Sequence, residues 1–191
     1  MTKKFNLVSI SSLVTGDVLR TFDCHNYGIN QFFYEEALDY HLSNKMRVNV
    51  LLDGEKIIGF FGLTVGTLET ENPGNKQIDT YPYVNLAFFA IDYRHQGKGI
   101  GNLMMEEVFK STLSIAYYAG VELIYLKSVD ESVEFYEKSG FELIDPRLRP
   151  EIYQVDTSNI LFPMMLSIDT LYEQGYLPYQ SLEAISIEVN E

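Results

Sequence analysis

The sequence has no tryptophan, only one cysteine and no long uninterrupted hydrophobic run. Cys24 alone cannot form an internal disulfide, and a single thiol is no metal cluster, so we expect no metal site. Free cysteines are usually buried and inert, which predicts a small core residue here rather than a nucleophile. A bilayer-spanning helix needs roughly 18 to 20 apolar residues. Residues 1–20 also lack the pattern of a signal peptide, so we expect a cytoplasmic protein with no membrane partner.

Positive charge is also scarce. The chain has 14 Lys and Arg residues against 27 Asp and Glu residues, a formal net charge of −13. Seven of the acidic residues follow Pro150, where there is no Lys or Arg, but the part before Pro150 is acidic as well. Such a charge repels polyanions unless a local basic groove counters it, which disfavours nucleic acid as a partner.

Apolar residues, by contrast, are plentiful enough for a sizeable core. Of the 191 residues, 46% are hydrophobic and 14% aromatic, which is far from the composition of disordered chains. This length predicts one domain, or one domain with an appendage. We place a single domain at residues 1–168 and an acidic C-terminal appendage at residues 169–191.

The first half of the chain predicts one helix followed by a group of strands. Apolar residues recur at helical spacing over residues 27–46, with Asn30 as a candidate N-cap. Two β-rich runs flank Asp53-Gly54, which is a strong hairpin signal. Residues 70–82 are rich in turn formers and predict an exposed loop. The nearly all-apolar residues 83–92 predict a central strand.

The second half alternates helices and strands. Residues 99–119 predict a long helix, residues 121–129 a buried strand and residues 130–139 a short helix. Residues 159–168 predict a last strand, in which Pro163 indicates an edge or a bulge. The whole pattern predicts an α/β fold of the α+β type, in which a mixed sheet has one strand, glycine loop and helix unit at its centre.

The glycine loop lies in "RHQGKGIGNLMMEEVF", residues 94–109. A strand that leads through three glycines into a helix offers unpaired N–H groups and the positive end of a helix dipole, which together favour an anion. A P-loop would need Lys-Ser or Lys-Thr after the last glycine, where Asn102-Leu103 stands. The G-x-G-x-G spacing also differs from the dinucleotide-binding fingerprint. The alternative on glycine spacing alone is a tight turn that binds nothing.

Two motifs in order resemble the signature of the GCN5-related N-acetyltransferase (GNAT) family. The first is Gln96-x-x-Gly99-x-Gly101 between a strand and a helix, and the second is "YEKSGF", residues 136–141. The resemblance covers roughly residues 45–145. It implies the GNAT acyl-CoA N-acyltransferase fold, in which two central strands splay apart and helices flank the sheet.

The resemblance also implies a cosubstrate, acetyl-CoA, and the residues that bind it. Backbone amides would hold the pyrophosphate, with help from one side chain; the residues are Gln96, Gly97, Lys98, Gly99, Ile100, Gly101 and Asn102. The pantetheine arm would pair with backbone groups of Phe89, Ala90 and Ile91. A bulge in the central strand would leave those backbone groups free.

Acetyl transfer to an amine needs a neutral amine, a donor to the developing oxyanion and a proton for the departing thiolate. Tyr136 matches the family's usual acid, and its phenol is protonated at neutral pH. A backbone N–H at Ala90 or Ile91 is the expected oxyanion donor. The general base is open: Glu69, Asn85 through an ordered water, or no residue if the amine arrives neutral. None of the three histidines, His25, His41 and His95, is our candidate.

A departure from the family pattern bears on the acceptor. Many relatives carry Asn seven residues before the tyrosine, where this chain has Val129. Residues 22–40 together with the later motifs resemble the acetyltransferase toxins of bacterial toxin-antitoxin pairs, which acetylate the amino group of charged tRNA. The sequence thus predicts an acetyl-CoA-dependent N-acetyltransferase that acts on a small-molecule or peptide amine. The family resemblance also implies a homodimer. An acidic body suits a cationic acceptor. The alternatives are charged tRNA as acceptor, or a non-catalytic acyl-CoA-binding module.

Overall fold

The structure, a computed structural model, describes residues 4–13, 16–72, 74–145 and 160–179. The described strands form one seven-stranded mixed sheet in the order β1-β2-β3-β4-β5-β7-β6. The strands are β1 Asn6–Ser9, β2 Arg47–Asp53, β3 Lys56–Glu71, β4 Ile78–Ile91, β5 Leu123–Ser128, β6 Glu142–Leu143 and β7 Phe162–Ser167. The helices are α1 Gly16–Leu19, α2 Tyr27–Glu35, α3 Ala37–Leu42, α4 Ile100–Tyr118, α5 Asp130–Lys138 and α6 Ile168–Glu173. This arrangement agrees with the predicted mixed α/β class.

Helices cover both faces of the sheet and bury two apolar clusters. Met104, Val108 and Leu113 of α4 pack on one face with the inward side chains of β4 and β5. Phe32 and Phe33 of α2 pack on the other face against β2 and β3. No helix in the described part of the chain is long and apolar enough to cross a membrane.

The helix predicted over residues 27–46 is in fact two helices. α2 ends at Glu35 and α3 begins at Ala37, with Glu36 between them out of helical conformation at φ −121°. The predicted N-cap, Asn30, is also wrong. Asn26 caps α2 by accepting a hydrogen bond from the N–H of Ile29, so the helix begins at Tyr27, the first residue of the predicted range, and not after Asn30.

The exposed loop predicted over residues 70–82 is largely strand. β3 runs on to Glu71 and β4 begins at Ile78, and the two strands stay paired from Glu71 with Ile78 back to Gly59 with Ile91. The pairing of two long strands satisfies the backbone of polar residues that, taken alone, favour a turn. The described residues 72 and 74–77 belong to the connection between the two strands.

A bulge and a splay lie side by side at the centre of the sheet. Leu86 pairs with Leu63, but Phe88 pairs with Gly62, so Ala87 is an extra residue in β4. β4 and β5 are parallel and pair only where residues 83–85 face residues 123–125. Beyond those pairs the two strands separate, and the cleft described below opens between them.

The end of the described chain packs on the body of the protein. β7 lies between β5 and β6, so it is not an edge strand, although Pro163 lies beyond the two β6 residues of the ladder. Ile168 and Leu171 of α6 are buried in the core. The domain boundary at residue 168 stays a prediction, and residues 180–191 of the proposed appendage lie outside the described residues.

Candidate active site

The glycine loop connects β4 to the N-terminus of α4, a helix of 19 residues. Gly97 and Gly99 have positive φ angles of 69° and 79°, and Gly99 is the N-cap of the helix. Side chains disfavour this left-handed conformation, which explains glycine at both positions. Gln96 Nε2 donates a hydrogen bond of 2.9 Å to the carbonyl of Ile91, which fastens the loop to the end of the strand.

The loop fits the phosphates of a nucleotide cofactor. A Cβ atom added to Gly97 or Gly99 would meet nothing within 4 Å, so both backbones face open space. At Gly101 an added Cβ would lie 3.1 Å from the Phe135 ring, so that glycine serves packing between α4 and α5. Free N–H groups at the start of a long helix attract an anion.

Most of the predicted cofactor residues line one cavity of about 650 Å³, which we call the loop half of the cleft. They are Phe89, Ala90, Ile91, Gln96, Gly97, Gly99, Gly101 and Asn102, and the predicted acid Tyr136 lines the same cavity. The side chains of two others point elsewhere. Lys98 Nζ donates a 2.6 Å hydrogen bond to the carbonyl of Arg94. Ile100 is buried in the core. Roles for the backbone amides of these two residues stay predictions.

Asp92 joins the glycine loop to the segment before α2. Its carboxylate is fully buried and accepts hydrogen bonds from Arg94 Nε at 2.8 Å, Arg94 Nη2 at 2.7 Å and the N–H of Asp23 at 3.1 Å. Burial alone would raise the pKa of Asp92, but the hydrogen bonds from Arg94, Asp23 and His95 outweigh burial and lower the pKa to about 2. This carboxylate therefore stays ionised, and its oxygens are engaged in structural hydrogen bonds.

The segment held by Asp92 forms a wall of the loop half, which the sequence did not reveal. Cys24, His25 and Asn26 line the cavity. Asp23 Oδ1 accepts the N–H of His25 at 2.8 Å, which stabilises the positive φ of 63° at His25. Cys24 is only half-buried, contrary to the core position we expected, and burial raises the pKa of its thiol. Its Sγ–H donates to Asn30 Oδ1 at 3.2 Å.

The three histidines lie in different settings. His41 is buried away from the cleft, where Nδ1 accepts the N–H of Val48 at 3.0 Å and Nε2 lies 3.0 Å from Ser9 Oγ. His95 Nδ1 lies 3.4 Å from Asp92 Oδ1, within the same cluster as Arg94. His25 stacks on Tyr93 with ring centroids 4.0 Å apart.

A second cavity of about 540 Å³ continues the cleft between the splayed strands, and we call it the strand half. Six residues line both halves: Asn26, Ile29, Phe89, Val129, Ser132 and Tyr136. The strand half alone includes Tyr83 and Asn85 of β4 and Tyr125 and Lys127 of β5. Among its described lining residues Lys127 is the only charged one.

Of the two side chains considered for the general base, Asn85 lines the strand half and Glu69 does not. Asn85 Nδ2 donates to Thr64 Oγ1 at 3.2 Å, so its Oδ1 is oriented as an acceptor. Glu69 lies on the exposed outer part of the β3–β4 hairpin, paired with Thr80. No carboxylate is among the described residues that line the strand half.

Tyr136 lies where the two halves meet. The residue is only 8% exposed, and its ring packs against Phe89, Phe135 and Phe141 at centroid distances of 6.2, 5.2 and 5.7 Å. Burial raises the pKa of the phenol well above its ordinary value. The hydroxyl therefore keeps its proton at neutral pH, and its role as an acid stays a prediction.

Comparisons with known proteins find matches to both the sequence and the fold of this chain. The family described as "Acetyltransferase (GNAT) domain" matches residues 44–143. The tRNA-acetylating toxin of Mycobacterium tuberculosis (strain ATCC 25618 / H37Rv) is 24% identical over 132 residues, which are 66% of this chain and 80% of the toxin.

Two solved toxin structures share the fold. AtaTR bound with acetyl-CoA aligns with a TM-score of 0.71 at 19% identity, over 91% of this chain and 99% of that one. AtaT complexed with acetyl-methionyl-tRNAfMet aligns with a TM-score of 0.70 at 16% identity, over 90% of this chain and 99% of that one.

Proposed function

We propose that this chain, which belongs to the GNAT family of acetyl-CoA-dependent N-acetyltransferases, acetylates the α-amino group of an aminoacyl-tRNA. The observation that carries the acceptor assignment is the lining of the strand half. Its described residues include aromatic rings, amides and one lysine, but no carboxylate. A polyamine or a lysine side chain would enter as a cation and would need a negative partner there.

The missing base favours the same acceptor. An α-amino group has a pKa near 8, so roughly a tenth of it is neutral at pH 7, whereas a lysine amine with a pKa near 10.4 is neutral in fewer than roughly one molecule in a thousand. An enzyme without a carboxylate beside the incoming amine is therefore suited to α-amines. Asn85 lines the same half, and its Oδ1 would act on the amine only through ordered water.

The relatives support this choice. The toxin of Mycobacterium tuberculosis is named for acetylating tRNA, and the AtaT structure contains acetyl-methionyl-tRNAfMet. The net charge of −13 argues in the other direction. However, the charge that meets the acceptor is local, and at the strand half it is that of Lys127.

In the proposed reaction each residue has a definite task. Acetyl-CoA supplies an acetyl group activated as a thioester. Backbone amides of the glycine loop bind its pyrophosphate, and backbone groups of Phe89, Ala90 and Ile91 pair with its pantetheine arm. The amine nitrogen bonds to the acetyl carbon as the carbon–sulfur bond breaks. Tyr136 donates its Oη proton to the thiolate sulfur, and the amine's surplus proton passes to ordered water in the cleft, from which Tyr136 regains a proton.

The test is transfer of labelled acetyl groups from acetyl-CoA by the purified full-length chain. The acceptors are aminoacyl-tRNA, the same tRNA uncharged, spermidine and a lysine peptide. We expect label on aminoacyl-tRNA alone, released as N-acetylated amino acid when alkali cleaves the ester. Label on spermidine or the peptide, with none on aminoacyl-tRNA, overturns the proposal. The Tyr136→Phe variant is the control for chemistry at this site.

A further inference from the structure

The geometry points to a nucleotide-binding site in the outer part of the strand half. We infer that the rings of Tyr83 and Tyr125 receive the terminal adenine of the acceptor RNA, and that Lys127 binds the adjoining phosphate. This inference rests on the proposed function and specifies where the RNA end lies.

The two tyrosines form a joint aromatic surface. Their ring centroids are 5.1 Å apart with the planes inclined by 39°, and both rings remain partly exposed in the cleft. Burial, and then the neighbouring Tyr83, raise the pKa of Tyr125, so its ring is neutral at physiological pH. Exposed aromatic rings in a cleft are common stacking platforms for unpaired bases of single-stranded RNA.

The backbone beside Tyr83 makes room for its ring. A Cβ atom added to Gly66, the residue paired with Tyr83 across β3 and β4, would lie 2.7 Å from Tyr83 Cζ. The ring therefore lies directly over the bare backbone of Gly66. Any larger residue at that position would displace the ring, so the orientation of Tyr83 depends on this glycine.

Among the described residues that line the strand half, Lys127 is the one cation that could bind an anion. It is exposed and forms no ion pair within the described ranges, whereas Lys110 is paired with Glu107 and Lys138 with Glu134. Lys127 and Tyr125 are two residues apart on β5, so both side chains face the same side of the sheet. A cation beside two stacking rings matches a nucleotide, which presents a base and a phosphate together.

The spacing from the reaction centre suits one nucleotide. Along β4, Asn85 and Tyr83 lie four and six residues before Phe89, which contacts Tyr136. At about 3.3 Å per residue this is roughly 13 and 20 Å of strand, an upper bound because the bulge at Ala87 shortens it. Tyr125 pairs with Asn85, so Lys127 lies level with the bulge and nearer to Phe89. Going outward from Tyr136, an acceptor whose amine lies at the reaction centre therefore meets Lys127 first and the two tyrosine rings next.

The test compares three acceptors that carry the same amino acid: aminoacyl-tRNA, 3′-aminoacyl-adenosine and the amino acid methyl ester. For Tyr125→Leu we expect the KM to rise at least about fivefold for the two acceptors with adenine and to stay unchanged for the ester. Tyr125→Phe, which keeps the ring, should behave as wild type. For Lys127→Met we expect the KM to rise about tenfold with aminoacyl-tRNA alone. The slope of log KM against log salt concentration should fall by about one.

Lys56→Met, which removes an exposed lysine at the start of β3 that lines neither half of the cleft, is the matched control and should leave every KM unchanged. Wild-type enzyme that acetylates aminoacyl-tRNA, with Tyr125→Leu and Lys127→Met variants that keep its KM, overturns the nucleotide site alone. A KM that rises equally for all three acceptors also overturns it, because the defect is then general. Wild-type enzyme that uses the ester but not aminoacyl-tRNA overturns the proposed function itself.

Discussion

The loop half of the cleft is built mainly from backbone, whereas the strand half is built from side chains. The loop half depends on left-handed glycines at positions 97 and 99 and on the start of α4. The strand half depends on Tyr83, Asn85, Tyr125 and Lys127 along two diverging strands. A backbone site accepts one ligand class and tolerates little change, while a side-chain site can change its acceptor without altering the fold. Cofactor and acceptor recognition should therefore fail separately when mutated.

Tyr136→Phe tests the point at which the two halves meet. Loss of the proton donor should lower kcat by about 10²- to 10⁴-fold and leave both KM values nearly unchanged, because the ring and its packing remain. Steady-state kinetics with each substrate varied in turn measures this. Tyr172→Phe, at an exposed position of α6, is the control. An unchanged kcat in Tyr136→Phe would remove the tyrosine from the chemistry.

Asp92→Asn tests whether the loop and the wall of the loop half act as one unit. Removing the charge leaves Arg94 unpaired beside a buried amide, so we expect the free energy of unfolding to fall by about 3 kcal/mol. Urea denaturation at pH 7 measures the loss. Asp39→Asn, at an exposed position, should cost under about 0.5 kcal/mol. Equal losses in the two variants would contradict the assignment.

The same carboxylate has a pH signature. Because its pKa in the folded protein is about 2, below the value of about 3.9 expected unfolded, its contribution is present above pH 4 and is lost as the pH falls towards 2. Wild-type stability should fall through that window. The Asp92→Asn variant should show a shallower fall.

Gly99→Ala tests the loop half alone. An alanine at φ 79° costs roughly 1 to 2 kcal/mol, and relief of that strain turns the N–H groups away from the pyrophosphate. We expect acetyl-CoA to bind about tenfold more weakly by calorimetry, with the acceptor KM unchanged. Gly120→Ala, where φ is negative and no atom lies near an added Cβ, should bind as wild type. An increase in the acceptor KM as large as the loss of affinity for acetyl-CoA would contradict the independence of the two halves.

Asn85→Leu tests the strand half with the smallest expected effect. Loss of one neutral hydrogen-bond acceptor should raise the acceptor KM by several-fold, since such a bond contributes about 1 kcal/mol. Binding of acetyl-CoA should not change. Thr64→Val, which removes the partner that orients the amide, should show a weaker form of the same defect. A weaker affinity for acetyl-CoA in either variant would speak against two independent halves.

The sequence revealed the loop half far better than the strand half. Glycines 97, 99 and 101 and the pair of motifs are local in the chain, so their spacing predicted both the turn and the family. Tyr83 and Tyr125 meet only because β4 and β5 are neighbours in the sheet, and no spacing along the chain encodes that contact. The wall at Cys24 was missed for a similar reason, since Asp92 holds it across about seventy residues of sequence.

The secondary structure was predicted where periodicity was strong and missed where composition conflicted with pairing. The predicted boundaries of α4 and α5 are nearly correct, because each ends near a glycine and shows clear apolar spacing. The β3–β4 arm was read as a loop because Glu71 and Asp79 are poor isolated strand formers, although cross-strand pairing stabilises them. Propensity is a property of a single segment, whereas the stability of a hairpin depends on the pairing of two segments.

The extra residue at Ala87 also makes this scaffold suitable for engineering. Before it, Val84 and Leu86 face the α4 core; after it, Phe89 and Ile91 do, so the inward positions change from even to odd. Deleting Ala87 would restore simple alternation, but the side chains on one side of the deletion would then face the opposite side of the sheet. A library that randomises positions 83 and 85 can thus explore new acceptors while the segment 89–91, on the other side of this change of phase, keeps its alignment for acetyl-CoA.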